Sequence, residues 1–158
     1  MQFTSALQRV VRVALFAAVI VCPGSVALVG ATPDPKAISF TLPENIQWRK
    51  GAASDNAILQ GDPSKPGLYI QLIKWHPGNM SRPHSHSTAR YIMVLSGTWW
   101  IGTGNKYDPD STFPVKAGTY VIDQPNELHY DGAKDEECVL YLIGMGPVIT
   151  TQAAGNAK

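Results

Sequence analysis

Charged residues are scarce in this chain, and neither sign is in excess. Lysine and arginine number 13 and aspartate and glutamate 12, which together make up 16% of the 158 residues. A formal net charge of +1 lacks the basic excess typical of nucleic-acid binding, so we expect no such partner. Hydrophobic residues make up 44% and low-complexity tracts are absent, which excludes a disordered chain. The length suits one domain.

Long apolar runs are also rare, and the main one lies near the start of the chain. It extends over Val13–Val21, follows Arg9 and Arg12, and ends before Pro23-Gly24. Two small-residue cleavage patterns follow, ending at residues 27 and 31. We therefore expect residues 1–31 to be a signal peptide, cleaved near 27 or 31, and the mature protein to be secreted or periplasmic. An uncleaved membrane anchor is the alternative, because residues 13–31 carry no charge; after cleavage we expect no membrane contact.

Cysteine is nearly missing. The chain has two, Cys22 in the predicted leader and Cys138. The mature chain would keep only Cys138, which excludes an intramolecular disulfide bond. Because Cys138 precedes an apolar run, we predict that it is a small buried hydrophobic residue.

Helical periodicity is missing after residue 31, and short apolar runs alternate with turn residues instead. This pattern predicts an all-β barrel or jelly roll in residues 46–150, preceded by an N-terminal arm (32–45) and followed by a flexible tail (151–158). Ser96-Gly97 predicts a hairpin turn. The predicted strands are Ile46–Lys50, Gly67–Trp75, Tyr91–Leu95, Thr98–Ile101, Thr119–Asp123 and Cys138–Ile143.

The four histidines carry the functional signal. His84 and His86 are two residues apart, so on a strand both imidazoles lie on one face. Neutral imidazole binds iron, manganese, nickel, copper or zinc, and His129 is the candidate third ligand. A polar strand face without metal is the alternative interpretation of such a pair. His76 is more simply explained as a hydrogen-bonded histidine at a strand end.

Two segments resemble the paired motifs of the cupin superfamily. Residues 78–97 resemble the first motif, with a glycine, a His-x-His pair and a final glycine, and residues 118–129 resemble the second. The resemblance covers roughly residues 67–145. It implies a single-domain cupin-type jelly-roll β-barrel, with His84, His86 and His129 converging on one divalent metal ion.

Arg90 departs from that pattern, since the first motif has glutamate at this position. A guanidinium cannot bind a cation and would be repelled by several kcal/mol next to a divalent ion in a dry site. Three interpretations remain open: Arg90 lies at the rim with its stem on Tyr91, it clamps an anionic substrate group, or the site binds an anion without metal. Substitute oxygen ligands are available in Asp123, Glu127 and Asp131.

Several further side chains are candidates for the pocket wall. One of Trp99 and Trp100 must point inward on a strand, and we expect it to fill the core. Tyr91, Tyr120 and Tyr130 have hydroxyl groups that a pocket can use, although a regular strand turns Tyr130 away from His129. We predict that substrate is bound by Arg90, Tyr91, Trp99 and Gln124.

These observations predict an exported, metal-dependent cupin enzyme acting on a small organic substrate as an oxygenase, isomerase or lyase. The alternative is a non-enzymatic barrel that binds a small ligand or anion, with Arg90 in the usual acidic position, and a structural or storage role is a weaker third. The resemblance also implies a homodimer that pairs through its sheets and exchanges the arm of residues 32–45.

Overall fold

The computed structural model describes residue 30 and residues 33–154. The described chain is almost entirely β-structure, with two short 3-10 helices at Pro43–Asn45 and Pro109–Ser111. The eleven strands are β1 (Ser54–Gln60), β2 (Gly67–Trp75), β3 (Asn79–Met80), β4 (His84–His86), β5 (Arg90–Ser96), β6 (Thr98–Thr103), β7 (Phe113–Lys116), β8 (Tyr120–Asp123), β9 (His129–Ala133), β10 (Cys138–Gly146) and β11 (Thr150–Gln152).

The strands form two antiparallel sheets. One sheet has the order β1-β2-β10-β5-β8. The other has the order β11-β4-β9-β6-β7, and β3 also pairs with β9. The predicted all-β single domain of the cupin jelly-roll type is therefore confirmed.

Residues paired across the first sheet share a face, and on one face of this sheet they form an apolar interior. Leu140 pairs with Ile73 on one side and Val94 on the other, and Leu142 pairs with Gln71 and Ile92 in the same way. Leu140, Leu142, Ile92 and Val94 are fully buried. The interior between these rows and the second sheet is the space in which a site can form.

Cys138 belongs to this core. It is 0% exposed, as predicted for a small buried hydrophobic residue. Burial raises the pKa of its thiol to about 12, so the thiol stays protonated and unreactive at neutral pH.

The structure corrects three details of the strand prediction. Ile46–Lys50 is not a strand, because only Arg49 makes a bridge, to Asn56 of β1. Strand β1 itself was missed because it begins with the polar residues Ser54, Asp55 and Asn56. The predicted tail is wrong over its first two residues, since β11 includes them and pairs with β4.

Part of the predicted arm forms a turn. Within residues 33–39, the backbone N–H groups of Ala37 and Ile38 donate to the Asp34 carbonyl, which makes a turn. The predicted signal peptide lies outside the described residues except for Gly30. Among the residues described, no helix is long and apolar enough to cross a membrane.

We predict that Gly132→Ala destabilises the fold. A Cβ at Gly132 would collide with the Asn79 carbonyl and lie 2.5 Å from Met80 Cα, so β3 and β9 must separate. The expected cost is about 3 kcal/mol, the upper part of the range for overpacked positions. Urea unfolding measures it, and Ser96→Thr, which adds one methyl group at an exposed strand position, is the control. Equal stability of both variants would contradict the close approach of the two strands.

Candidate metal centre

Three histidines meet inside the barrel because of how two short strands pair. His84 and His86 are the ends of β4, so they point to the same face, and His129 begins β9 directly opposite His84. The ring centroids are 4.5 to 5.4 Å apart. One ligating nitrogen from each ring lies within 4.8 Å of the others. The three predicted ligands are thus brought together.

Each of these rings is oriented through its Nδ1 atom. His84 Nδ1 lies 2.7 Å from the Arg82 carbonyl, and His129 Nδ1 lies 3.1 Å from the Glu127 carbonyl. A carbonyl can only accept, so both Nδ1 atoms are the N–H donors and both Nε2 atoms keep their lone pairs. His86 Nδ1 lies 3.0 Å from the Thr150 hydroxyl. This is the arrangement in which an outer hydrogen bond fixes the tautomer of a metal-binding histidine.

The other ring nitrogens are left without partners. His84, His86 and His129 are only 7%, 5% and 8% exposed. The Nε2 atoms of His86 and His129 are fully buried and make no hydrogen bond with any residue that the structure describes. Because a buried, unpaired polar atom is costly, this pair indicates a binding partner other than the described residues.

Burial also keeps two of the rings neutral. It lowers the pKa of His84 below its usual range. It lowers the pKa of His86 to about 2, and Arg90 and the other two histidines add to this effect. Neutral imidazoles with free lone pairs are the state that coordinates a divalent metal, so the donor set fits such an ion.

Arg90 is neutralised by Asp123. The two residues face each other across β5 and β8. Arg90 Nε donates to Asp123 Oδ2 at 2.7 Å, and Nη2 lies 2.6 Å from the same oxygen. The side chains of Arg90 and Asp123 are 10% and 7% exposed, so the placement of Arg90 at the rim is wrong. The repulsion expected from an isolated guanidinium is therefore offset by a carboxylate of the same chain.

Asp123 also contacts the metal-site histidines. Its Oδ1 lies 3.2 Å from His129 Nδ1, and its Oδ2 lies 4.0 Å from His86 Nε2. One carboxylate therefore connects the arginine to the histidine cluster. The Nε–Nη2 edge of Arg90 is occupied by Asp123, so that edge is not free to clamp a substrate anion.

Another buried carboxylate near the histidines, Asp131, is held by other groups. Its Oδ2 accepts from Trp99 Nε1 at 2.9 Å, and its Oδ1 accepts from the Ser81 hydroxyl at 3.0 Å. Trp99 is buried in the core, as we expected of one of the two tryptophans. Trp100 points the other way, with Lys134 Nζ 4.0 Å from its ring centroid.

Three small cavities border the histidines. A cavity of about 270 Å³ contacts His84, Arg90, Trp99 and Asp131. A second, of about 280 Å³, contacts His86, Arg90 and Tyr69. A third, of about 160 Å³, contacts His129, Trp99, Asp123, Gln124 and Glu127. Ligand-accessible space therefore reaches each histidine.

Other predicted residues lie elsewhere. Tyr91 is 44% exposed and Tyr120 55% exposed, because both lie on the outer face of the first sheet. Tyr130 is buried and donates to the Asp108 carbonyl, away from His129 as expected. His76 is a hydrogen-bonded histidine, as predicted, with Asp55 Oδ1 3.0 Å from its Nε2.

Sequence reasoning missed Tyr69, whose ring lies across the barrel interior. Tyr69 pairs with Gly144, and a Cβ at Gly144 would lie 2.5 Å from the Tyr69 hydroxyl. The ring therefore crosses β10 towards Arg90, the other partner of Gly144. Burial raises the pKa of Tyr69, so its hydroxyl is protonated at neutral pH. The period-two alternation of β2 could have identified Tyr69 and Gln71 as interior residues.

Comparisons with known proteins agree with this fold. Residues 41–149 match the sequence model of the ChrR cupin-like domain. The polyketide cyclase RemF from Streptomyces resistomycificus aligns with a TM-score of 0.59 and 16% identity, over 77% of this chain and 88% of the cyclase. The DMSP lyase DddQ from Ruegeria pomeroyi aligns with a TM-score of 0.57 and 14% identity, over 72% of this chain and 64% of the lyase.

A cupin-2 domain protein from Rhodospirillum rubrum is also similar, with a TM-score of 0.56 and 14% identity over 75% of this chain and 81% of that protein. No curated protein matches the sequence. At such identities the structural likeness supports the fold alone.

We predict that Asp123→Asn strongly destabilises the protein. The substitution leaves the Arg90 charge buried without a counter-ion, which costs about 3–5 kcal/mol. Glu137→Gln removes the partner of Lys74 in a more exposed pair, 3.7 Å apart, and should cost less than about 1 kcal/mol. Chemical denaturation of both variants measures the difference. Equal losses in the free energy of unfolding would show that the buried pair stabilises the protein no more than the exposed pair does.

Proposed function

Because the chain belongs to the ChrR cupin-like domain family, we propose that it binds a divalent metal through His84, His86 and His129 and acts on a small organic molecule beside that metal. The metal is iron, manganese, nickel, copper or zinc, all of which accept imidazole ligands. The observation that carries the proposal is the pair of buried, unpaired Nε2 atoms on His86 and His129.

Held by His84, His86 and His129, the metal would supply Lewis-acid chemistry to an oxygen of a bound molecule. The surrounding residues supply the rest of the site. Trp99 fills the interior and limits the access of water, and the Glu127 carbonyl orients His129 through Nδ1. Tyr69 presents a protonated hydroxyl to the cavity that also contacts His86, so it can donate a hydrogen bond there.

We propose an oxygenase, isomerase or lyase as the reaction class. The cyclase and the lyase with similar structures are enzymes built on this fold, which supports catalysis as a use of the barrel. The fold hosts unrelated chemistries, so it does not choose among these classes.

A non-enzymatic binding barrel is the second candidate. The observation that favours it is that Asp123 and Asp131, the buried carboxylates that border the histidine cavities, are both engaged by donors. Neither is free to take a proton from a substrate. Turnover of a molecule bound in the barrel would exclude this candidate.

We also propose that the protein is exported, on the strength of the signal-peptide pattern in residues 1–31.

An anion bound at Arg90 in place of a metal is disfavoured, since Asp123 is already the counter-ion of Arg90. We therefore propose the histidines, and not Arg90, as the binding centre of the protein.

A homodimer is the proposed assembly, with a second copy of the chain covering the outer face of β5 and β8. Five large apolar side chains are exposed there and no charged residue is among them: Tyr91, Met93, Leu95, Tyr120 and Ile122. Tyr91 lies opposite Ile122, and Met93 lies opposite Tyr120, so the side chains form one continuous patch. An uncharged, apolar patch forms no ion pairs with a charged partner, whereas it can pack against the same patch of a second copy.

We predict that the purified protein holds about one divalent metal ion per chain, as expected for a three-histidine site. The double variant His84→Ala, His86→Ala should lose it, because one imidazole remains. Elemental mass spectrometry after dialysis measures the metal content. His76→Ala is the control, since His76 is bound to Asp55 and should leave the metal content unchanged. Metal-free parent protein after soaking with all five ions would refute the proposal.

We predict that Met93→Glu weakens the dimer at least about tenfold, because a carboxylate would be buried in an apolar interface. Sedimentation velocity over a range of concentrations measures the dissociation constant. Phe113→Glu changes an exposed apolar residue of the other sheet and should leave the dimer intact. A parent protein that sediments as a monomer would contradict this assembly.

A further inference from the structure

The cavity beside His84 has a wall of uncharged polar side chains. Its volume is about 270 Å³, and six of its residues carry amide or hydroxyl groups. The Ser81 and Thr150 hydroxyls contact Asp131 and His86, and the other four residues are Ser54, Asn56, Gln71 and Gln152. Among the residues that the structure describes, none of these four side chains has a hydrogen-bond partner. The wall therefore offers donors and acceptors that the protein leaves unused.

Trp75 forms part of the same wall with its ring. Its Nε1 atom is fully buried, so a ligand in the cavity does not reach that N–H group.

The charged groups of the cavity are already compensated. Arg90 is paired with Asp123, and both oxygens of Asp131 accept hydrogen bonds from Trp99 and Ser81. The cavity wall thus has no unpaired cation for an anionic ligand and no unoccupied carboxylate for a cationic one.

Amide side chains are suited to hydroxyl groups, because each offers a donor and an acceptor, as a hydroxyl does. Small-molecule sites commonly occupy about 300–1,000 Å³, so a cavity of about 270 Å³ admits only a small ligand. The apolar side of the cavity is formed by Ile73, Ile92, Leu140 and Leu142, which can cover the C–H face of such a molecule.

We propose that this cavity binds a neutral, polyhydroxylated molecule of monosaccharide size, held by Asn56, Gln71 and Gln152. The ligand reaches from this wall towards His84. The assignment rests on the proposed function in one respect only, that the metal lies at the inner end of the same cavity.

The test is binding of D-glucose, D-galactose and myo-inositol, with D-glucuronate and D-galacturonate as anions of matched size. Saturation-transfer NMR and calorimetry are carried out on zinc-loaded and on metal-free protein. We expect at least one neutral probe to bind, more tightly than the matched anion. Failure of all three neutral probes at tens of millimolar, or tighter binding of the anions, would overturn the inference.

Variants connect binding to the wall. Gln71→Leu and Asn56→Leu should each weaken binding about fivefold, the effect of losing one net hydrogen bond. Gln60→Leu, at the exposed end of β1 and outside this cavity, should leave binding unchanged. Equal affinities in all three variants would overturn the assignment of the wall.

The two proposals fail separately. Zinc bound at the histidines without any neutral probe in the cavity would leave the metal function standing and remove the ligand class. Binding of a neutral probe to protein that takes up no metal would support the ligand class and refute the metal function.

Discussion

The buried ion pair between Arg90 and Asp123 is the interaction on which the site depends. A lone guanidinium at this depth would be costly to bury and would oppose a cation at the histidines. The pair joins β5 to β8 and cancels that charge inside the barrel. It also places Asp123 Oδ1 3.2 Å from His129 Nδ1, so the same carboxylate that compensates the arginine contacts one imidazole. An arginine in a position where the cupin pattern has an acid is therefore compatible with a cation site.

Local patterns predicted much of the fold. Strand β2 was predicted with its observed bounds, Gly67–Trp75, because its apolar residues stand between clear turn signals. Strands β1 and β9 were not predicted. The first begins with polar residues that face a cavity or a lysine, and the second, His129–Ala133, is buried at every residue and so shows no alternation. The spacing of His84 and His86, with the two cupin-like motifs, was sufficient to identify the histidine cluster.

The environment of Arg90 could not be predicted in the same way. Its partner is 33 residues away, and only the pairing of β5 with β8 brings the two together. The sequence analysis considered Asp123 as a metal ligand and not as a counter-ion of Arg90. A carboxylate can serve in either role, and the sequence does not give its distance from the histidines or from Arg90. The polar cavity wall was missed for a related reason. Asn56, Gln71 and Gln152 come from three different strands, and none belongs to a motif.

Strand β11 has a consequence for the order of events during synthesis. Thr150 contacts His86 at its Nδ1 atom, and Gln152 pairs with His84 along the backbone, so the segment that orients His86 and borders His84 follows them by more than sixty residues. A ribosome-bound chain that has exposed all three histidines but not yet residue 152 has an incomplete site. A metal held by the histidines would then be bound after translation of the barrel and would not guide its folding from the start.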